Sequence, residues 1–346
     1  MRRFAALVVI AALPLAATAV VRAAADIPAW AYAIAPPPPP PVPGAPAPVN
    51  PAVADTSPKS VPGSTRQFTR AEIGGRSGGG PADWFPEDHR PMPSIVAHGR
   101  VGDPNARACS LCHYPNGKGR PENASVSGLP VSYFIQQLND FRNDKRKSAE
   151  PRKANSNVMI LIAKSLTPEE IQQAAEYFGS IKWTPWIRVV ETNTVAKMKS
   201  NGGIWVPIEG EGAGKEPIGI RIMETPENPE RMEILRDPHS GTVAYAPVGS
   251  IKKGEALVKT GGNGRTVECG ACHGADLLGV GPVPGIAGRS PSYLARELYD
   301  MQAGTRNGEW TQLMKPVVAK LTGEDIVNIV AYVSSRPVTS AATSTR

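Results

Sequence analysis

The 346-residue chain has little cysteine, little histidine and few aromatic side chains: four Cys, five His, and 6% Phe, Trp and Tyr. Each shortage excludes something. All four cysteines fall in two C-x-x-C pairs, Cys109/Cys112 and Cys269/Cys272, so none is left for a disulfide framework elsewhere or for a separate thiolate nucleophile. No basic run is interleaved with aromatics, so the chain lacks a nucleic-acid-binding footprint. Charged residues make up only 20%, whereas Pro (36) and Gly (34) are abundant. That mix suggests small, loop-rich domains joined by irregular chain, and the length allows two domains or three small ones. The formal charge of +7 says little about partners, because removing residues 1–25 would take away Arg2, Arg3 and Arg22 and leave +4.

What is present is more specific. Each cysteine pair runs directly into a histidine, as Cys109-Ser110-Leu111-Cys112-His113 and Cys269-Gly270-Ala271-Cys272-His273. C-x-x-C-H is the attachment sequence of c-type haem. Two thiols one helical turn apart can add to the two vinyl groups of one porphyrin, and the next residue brings a neutral imidazole to the iron. Two disulfides, or one zinc ion shared by both motifs, are the competing chemistries, and the repeated histidine argues against each. The pattern therefore predicts two covalently bound c-type haems, held through Cys109, Cys112, Cys269 and Cys272, with His113 and His273 on the irons.

In chain order, residues 1–25 read as an export signal: Arg2 and Arg3, an apolar segment Phe4–Val21, then Ala23-Ala24-Ala25. Cleavage would release the body of the protein into the periplasm, and an uncleaved segment would tether it to the membrane. Residues 26–80 include the proline run Pro36–Pro41 and read as a disordered Pro/Gly-rich arm. The first haem domain with its extension is placed at 81–182, where His89 and His98 are additional, weaker ligand candidates. Its elements include a short helix from Pro93 to His98, a helix over Val131–Phe141, and a helix start at Thr167-Pro168-Glu169-Glu170. Residues 183–247 read as a β-rich bridge with strands at Trp186–Val190, Gly203–Ile208, Ile218–Met223 and Thr242–Ala246. A second haem domain spans 248–336, with helices at Lys252–Val258, Pro291–Met301 and Thr322–Val333, and 337–346 is a tail.

The chain also repeats itself. At an offset of 160, the two motifs superpose, as do Gly128/Gly288, Tyr133/Tyr293, Leu138/Leu298, Asp140/Asp300 and Arg146/Arg306. The offset then becomes 155 and pairs Met159 with Met314 and Leu166-Thr167 with Leu321-Thr322. Each methionine lies seven residues before a Leu-Thr helix start, so its thioether is the candidate for the iron's sixth position.

Each half resembles a class I cytochrome c domain, and the whole is similar to the two-domain dihaem cytochromes c. The resemblance covers about 92–182 and 248–336 and rests on C-x-x-C-H, the paired methionines and the closing helices. It implies a mainly α fold: two cytochrome c domains joined by the β-rich bridge, with first and last helices crossing in each domain. It also implies His113/Met159 on one iron and His273/Met314 on the other, each methionine carried on a loop. In such domains Pro284-Gly285-Ile286-Ala287-Gly288 would orient the proximal histidine through a backbone carbonyl, and the first half has Ala124 where Pro284 stands.

Two six-coordinate haems suit electron transfer better than substrate chemistry. The expected function is a periplasmic electron carrier, not an enzyme, between a dehydrogenase as donor and an oxidase or another cytochrome as acceptor. A cytochrome subunit held permanently in a dehydrogenase complex is the first alternative. A dihaem peroxidase, which would need one openable iron, is the second.

Overall fold

The computed structural model describes residues 27–34, 37 and 54–338. It is mainly helical, with a β-rich insertion between two cytochrome-like helical regions. The signal-like segment 1–25, the proline run Pro36–Pro41 apart from Pro37, and the 337–346 tail beyond 338 lie outside the described residues. Among the described residues no helix is long and apolar enough to cross a membrane.

The second helical region shows the crossing that the resemblance implies. Helix Ser250–Thr260 lies against the closing helix Gly323–Ser334. Gly254 permits the approach, because a Cβ there would sit 1.9 Å from the carbonyl oxygen of Asn328. The closing helix starts in a capping box: Thr322 Oγ1 accepts from the Asp325 amide, and Asp325 Oδ2 accepts from the Thr322 amide. Its residues Asp325–Ser334 are all buried.

The first helical region repeats this plan with helices Val131–Arg142, Ala154–Ser165 and Pro168–Gly179. Thr167 and Glu170 form the expected capping box, and Ile171, Ala174, Ala175 and Phe178 face the core. Its opening helix is only one turn, Ser94–Ala97, where the resemblance implies a full crossing helix. Pro91 and Pro93 precede that turn, and Gly99 follows it with φ of +75°.

Two parts of the stretch read as a disordered arm are packed. Ala29–Tyr32 forms one helical turn, and Tyr32 is buried in the core of the second region. The carbonyls of Trp30, Ala31, Tyr32 and Ala33 accept hydrogen bonds from Trp205, Arg296, Lys153 and Ser200, respectively. Farther on, Val61 and Ile73 join Trp84 and Phe85 in a small core of their own. Composition alone missed these anchors, because a few large apolar side chains are diluted by the proline and glycine around them.

The insertion contains a three-stranded sheet. Ile187–Thr192 runs parallel to Thr242–Pro247, which pairs antiparallel with Met223–Pro226. Thr194–Ala196 with Lys215–Pro217, and Met198–Asn201 with Ile204–Pro207, make two further antiparallel pairs. The strand expected over Ile218–Met223 does not form. Gly219 takes φ of +59°, Ile220 is 63% exposed between buried Ile218 and Ile222, and pairing begins only at Met223. Glu224 on this sheet is buried and accepts from Thr242 Oγ1, Ser290 Oγ and the Ser292 amide. The insertion thereby fixes the N-terminus of helix Pro291–Gln302, which carries much of the wall described next.

Candidate functional site

Both motifs form a single helical turn, Ser110–His113 and Gly270–His273. In each, the histidine ring is held by a backbone carbonyl eleven residues on. His113 Nδ1 lies 2.8 Å from the Ala124 oxygen, and His273 Nδ1 lies 2.8 Å from the Pro284 oxygen. A carbonyl only accepts, so Nδ1 carries the proton and Nε2 keeps its lone pair. The first repeat achieves this without the proline, because the bonding group is main chain. Burial pushes both imidazoles below their ordinary pKa, which keeps them neutral and able to ligate.

Each histidine borders a cavity, and a methionine stands on the wall of the same cavity. The first is lined by His113 and Met159. The second, the roomier of the two, is lined by Cys269, Cys272, His273 and Met314. Cys109 and Cys112 belong to the His113 turn but do not line the first cavity. Both methionines sit on helices, Ala154–Ser165 and Thr311–Val318, rather than on the loops the resemblance implies. Met159 and Met314 are both half-buried.

None of the four cysteines is paired in a disulfide. Burial pushes the Cys109 thiol up to about 12 and Cys269 to about 11, and it raises Cys112 as well. The two motifs border different cavities, and among the described residues no group of three or more His, Cys, Asp or Glu converges. His89 is engaged with Asp83 and the Arg90 carbonyl, and His98 with the Gly79 carbonyl. Neither borders either cavity.

The two cavities share a wall. Leu129, Tyr133, Gln137, Tyr293 and Glu297 line both. Around them the repeat closes on itself: Arg146 donates to Tyr293 Oη at 3.0 Å, and Arg306 donates to Tyr133 Oη at 2.9 Å. Gln137 Oε1 accepts from both guanidiniums, and the single carboxylate Glu297 pairs with both. The backbones join here as well, through Lys147 N to Thr305 O and Asn307 N to Lys145 O. Burial acts to raise the Glu297 carboxyl, but Arg146 and Arg306 outweigh it and hold the group below its ordinary pKa.

Sequence reading paired Tyr133 with Tyr293 and Arg146 with Arg306 but assigned them no role at an interface. The same 160-residue offset also pairs Gln137 with Glu297, a signal that went unused. Glu122 and Arg296, both on the first cavity, carried no sequence signal, and Asp300, also on that cavity, entered only as the repeat partner of Asp140.

The residues present fit a covalently held haem in each cavity. Each site has an imidazole with its Nε2 free and a thioether on the same cavity, with two thiols in the histidine's own turn. The shared wall has two guanidiniums for one carboxylate, and Arg306 Nε is buried without a partner. It can therefore accept the carboxylates of a bound porphyrin.

The cytochrome c family model matches residues 251–337. Cytochrome c-554(548) of Halomonas halodenitrificans is 41% identical over 69 residues, which is 20% of this chain and 83% of that protein. Cytochrome c4 of Pseudomonas aeruginosa is 22% identical over 238 residues, covering 67% of this chain and 86% of that one. The thiosulfate dehydrogenase electron acceptor of Thiomonas intermedia is 23% identical over 237 residues, covering 68% and 81%. With two C-x-x-C-H turns, two cavities and closing helices of the same kind, the chain belongs to the cytochrome c family, among its dihaem class I members with a general role in electron transfer.

Proposed function

We propose that the protein is a periplasmic electron carrier with two His/Met-ligated c-type haems, attached at Cys109/Cys112 and Cys269/Cys272. The irons would be held by His113 with Met159 and by His273 with Met314. The observation that carries this reading is that, in both repeats, the motif histidine and its register-matched methionine border one cavity. Such a haem supplies one-electron chemistry at an iron whose six positions are filled, and a Met ligand raises its potential relative to two His.

The chain's own residues would do the rest. The Ala124 and Pro284 carbonyls fix the imidazole tautomers. The second cavity, walled by Ile286, Leu294, Leu298 and Ile329 among others, would surround most of the haem with apolar side chains. The wall built on Arg146, Arg306 and Glu297 keeps the two sites adjacent, so an electron entering at one haem has a short protein path to the other. The donor would be a dehydrogenase and the acceptor an oxidase or another cytochrome. The methionine at each cavity counts against a peroxidase, which needs an openable iron. The signal-like segment 1–25 would carry the chain to the periplasmic side, where covalent haem attachment would take place.

A second reading, a subunit held permanently by a dehydrogenase, is favoured by the relative named as a thiosulfate dehydrogenase electron acceptor. Co-purification with a catalytic subunit would select it over a free carrier. The primary test is the near-infrared spectrum of the ferric protein. The expected result is Met–iron charge-transfer intensity for two haems per chain. Intensity for one or none would overturn the proposed ligation.

A further inference from the structure

The two motif turns are the same structure in different surroundings. Around the first, Ala108, Ser110, Tyr114 and Asn116 are all buried. At the same register in the second, Glu268 and Asp276 are exposed acids, and Ala271, Cys272 and Ala275 are exposed beside them. The difference comes from the insertion. Its segment 228–240 lies over the first turn: Tyr114 Oη donates to the Met232 carbonyl, Asn116 Nδ2 donates to the Pro238 carbonyl, and the Arg236 guanidinium donates to the Leu111 carbonyl. Arg120, just beyond, pairs with Glu233 of the same segment. Nothing in the chain's described residues covers the second turn in this way. There, Cys272 is exposed yet lines the cavity, as do Val267 (45% exposed) and Leu313 (74% exposed), so the cavity reaches the surface at this face.

The repeat thus shows what kind of contact covers such a turn: a polypeptide segment offering backbone carbonyls to the turn's side chains and an arginine directed at the carbonyl before the second cysteine; at the second turn the exposed Val267 and Leu313 add apolar surface. At the second turn two positions that are neutral in the first, Ala108 and Asn116, become the acids Glu268 and Asp276. The nearby Arg265 is already paired with Asp325. The charge therefore calls for a basic occupant.

Building on the haem ligation proposed above, we infer that segment 228–240 is a built-in cover that closes the motif face of the first site. Electron exchange with outside proteins then runs through the open motif face of the second site, which accepts a redox protein presenting arginine or lysine amid apolar side chains. In each exchange one electron leaves a ferrous iron of this chain, which becomes ferric, and reduces one ferric iron of the partner. No bond forms and no proton moves.

Two measurements on the full-length holoprotein test this. In the first, a soluble gadolinium chelate is added, and broadening of the haem-methyl proton resonances is compared between sites. Strong broadening at the second haem and little at the first is expected; equal broadening would refute the cover. In the second, the reduced protein is mixed in stopped flow with a ferric, basic monohaem cytochrome c as probe. The Glu268→Gln/Asp276→Asn variant is expected to lower the second-order rate about tenfold at low salt and to flatten its salt dependence. The matched pair Glu209→Gln/Glu211→Gln, exposed acids on the insertion, should leave the rate unchanged. Equal effects of the two pairs, or no effect of the first, would overturn the docking face. A failure of the haem ligation itself would appear beforehand, in the near-infrared spectrum of the untreated protein.

Discussion

Glu297→Gln tests the wall between the two sites. The native carboxylate sits 2.9 Å from Arg146 Nη2 on one oxygen and pairs with Arg306 through the other. Both guanidiniums are almost fully withdrawn from water: the side chains of Arg146 and Arg306 are 9% and 6% exposed. The amide can still accept from one arginine through its oxygen, but its NH₂ then faces the other, donor against donor. Breaking a buried pair by neutralising one partner costs roughly 3–5 kcal/mol, because the remaining charge stays buried. Here Tyr293, Tyr133 and Gln137 remain as neutral acceptors for the two arginines. The loss should therefore fall at the lower end, about 3 kcal/mol. The assay is guanidinium unfolding of the holoprotein followed by far-UV circular dichroism, with wild type and variant compared at equal slope. The converse change, Gln137→Glu, adds the carboxylate that the repeat lacks and should be neutral or stabilising. A loss below about 1 kcal/mol for Glu297→Gln, the size of a single neutral hydrogen bond, would mean that the wall is not held by this carboxylate.

The remaining predictions concern other parts of the same structure. Burial first, then Glu297, raises the Asp300 carboxyl to about 6. The folded state thus binds this proton more tightly than the unfolded chain, and stability falls as pH rises from about 4 through 6. Asp300→Asn keeps an oxygen for Tyr32 Oη and the Ala149 amide. It should flatten that fall and be at least as stable as wild type at pH 7, by up to roughly 3 kcal/mol, read from melting temperatures at pH 4.5 and 7. Gly254→Ala places a methyl against the Asn328 carbonyl, so it should cost about 1–3 kcal/mol. Calorimetry should show the second region melting earlier by roughly 4–8 °C per kcal/mol. Met314→Ala should remove half of the near-infrared Met–iron intensity and leave the haem content at two per chain, whereas loss of all the intensity would refute independent ligation at the two sites.

Much of this protein is determined by local sequence. The two C-x-x-C-H turns, the capping boxes at Thr167 and Thr322, and the register of Met159 with Met314 follow from spacings within a few turns of helix, where neighbouring residues in the chain are also neighbours in space. The carbonyl that orients the second histidine was implied by the family resemblance, and the first repeat keeps the same bond with Ala124 in place of the proline because main chain does the bonding. What only the tertiary structure decided is long-range. Tyr32 reaches Asp300 across 268 positions, Arg146 meets Glu297 across 151, and Arg236 closes over Leu111 across 125. No periodicity encodes such pairings. They arise when buried charges and carbonyls must find partners once water is excluded. That requirement packed parts of an apparently formless arm, joined two repeats through one carboxylate, and laid the insertion over one motif turn while leaving the other open.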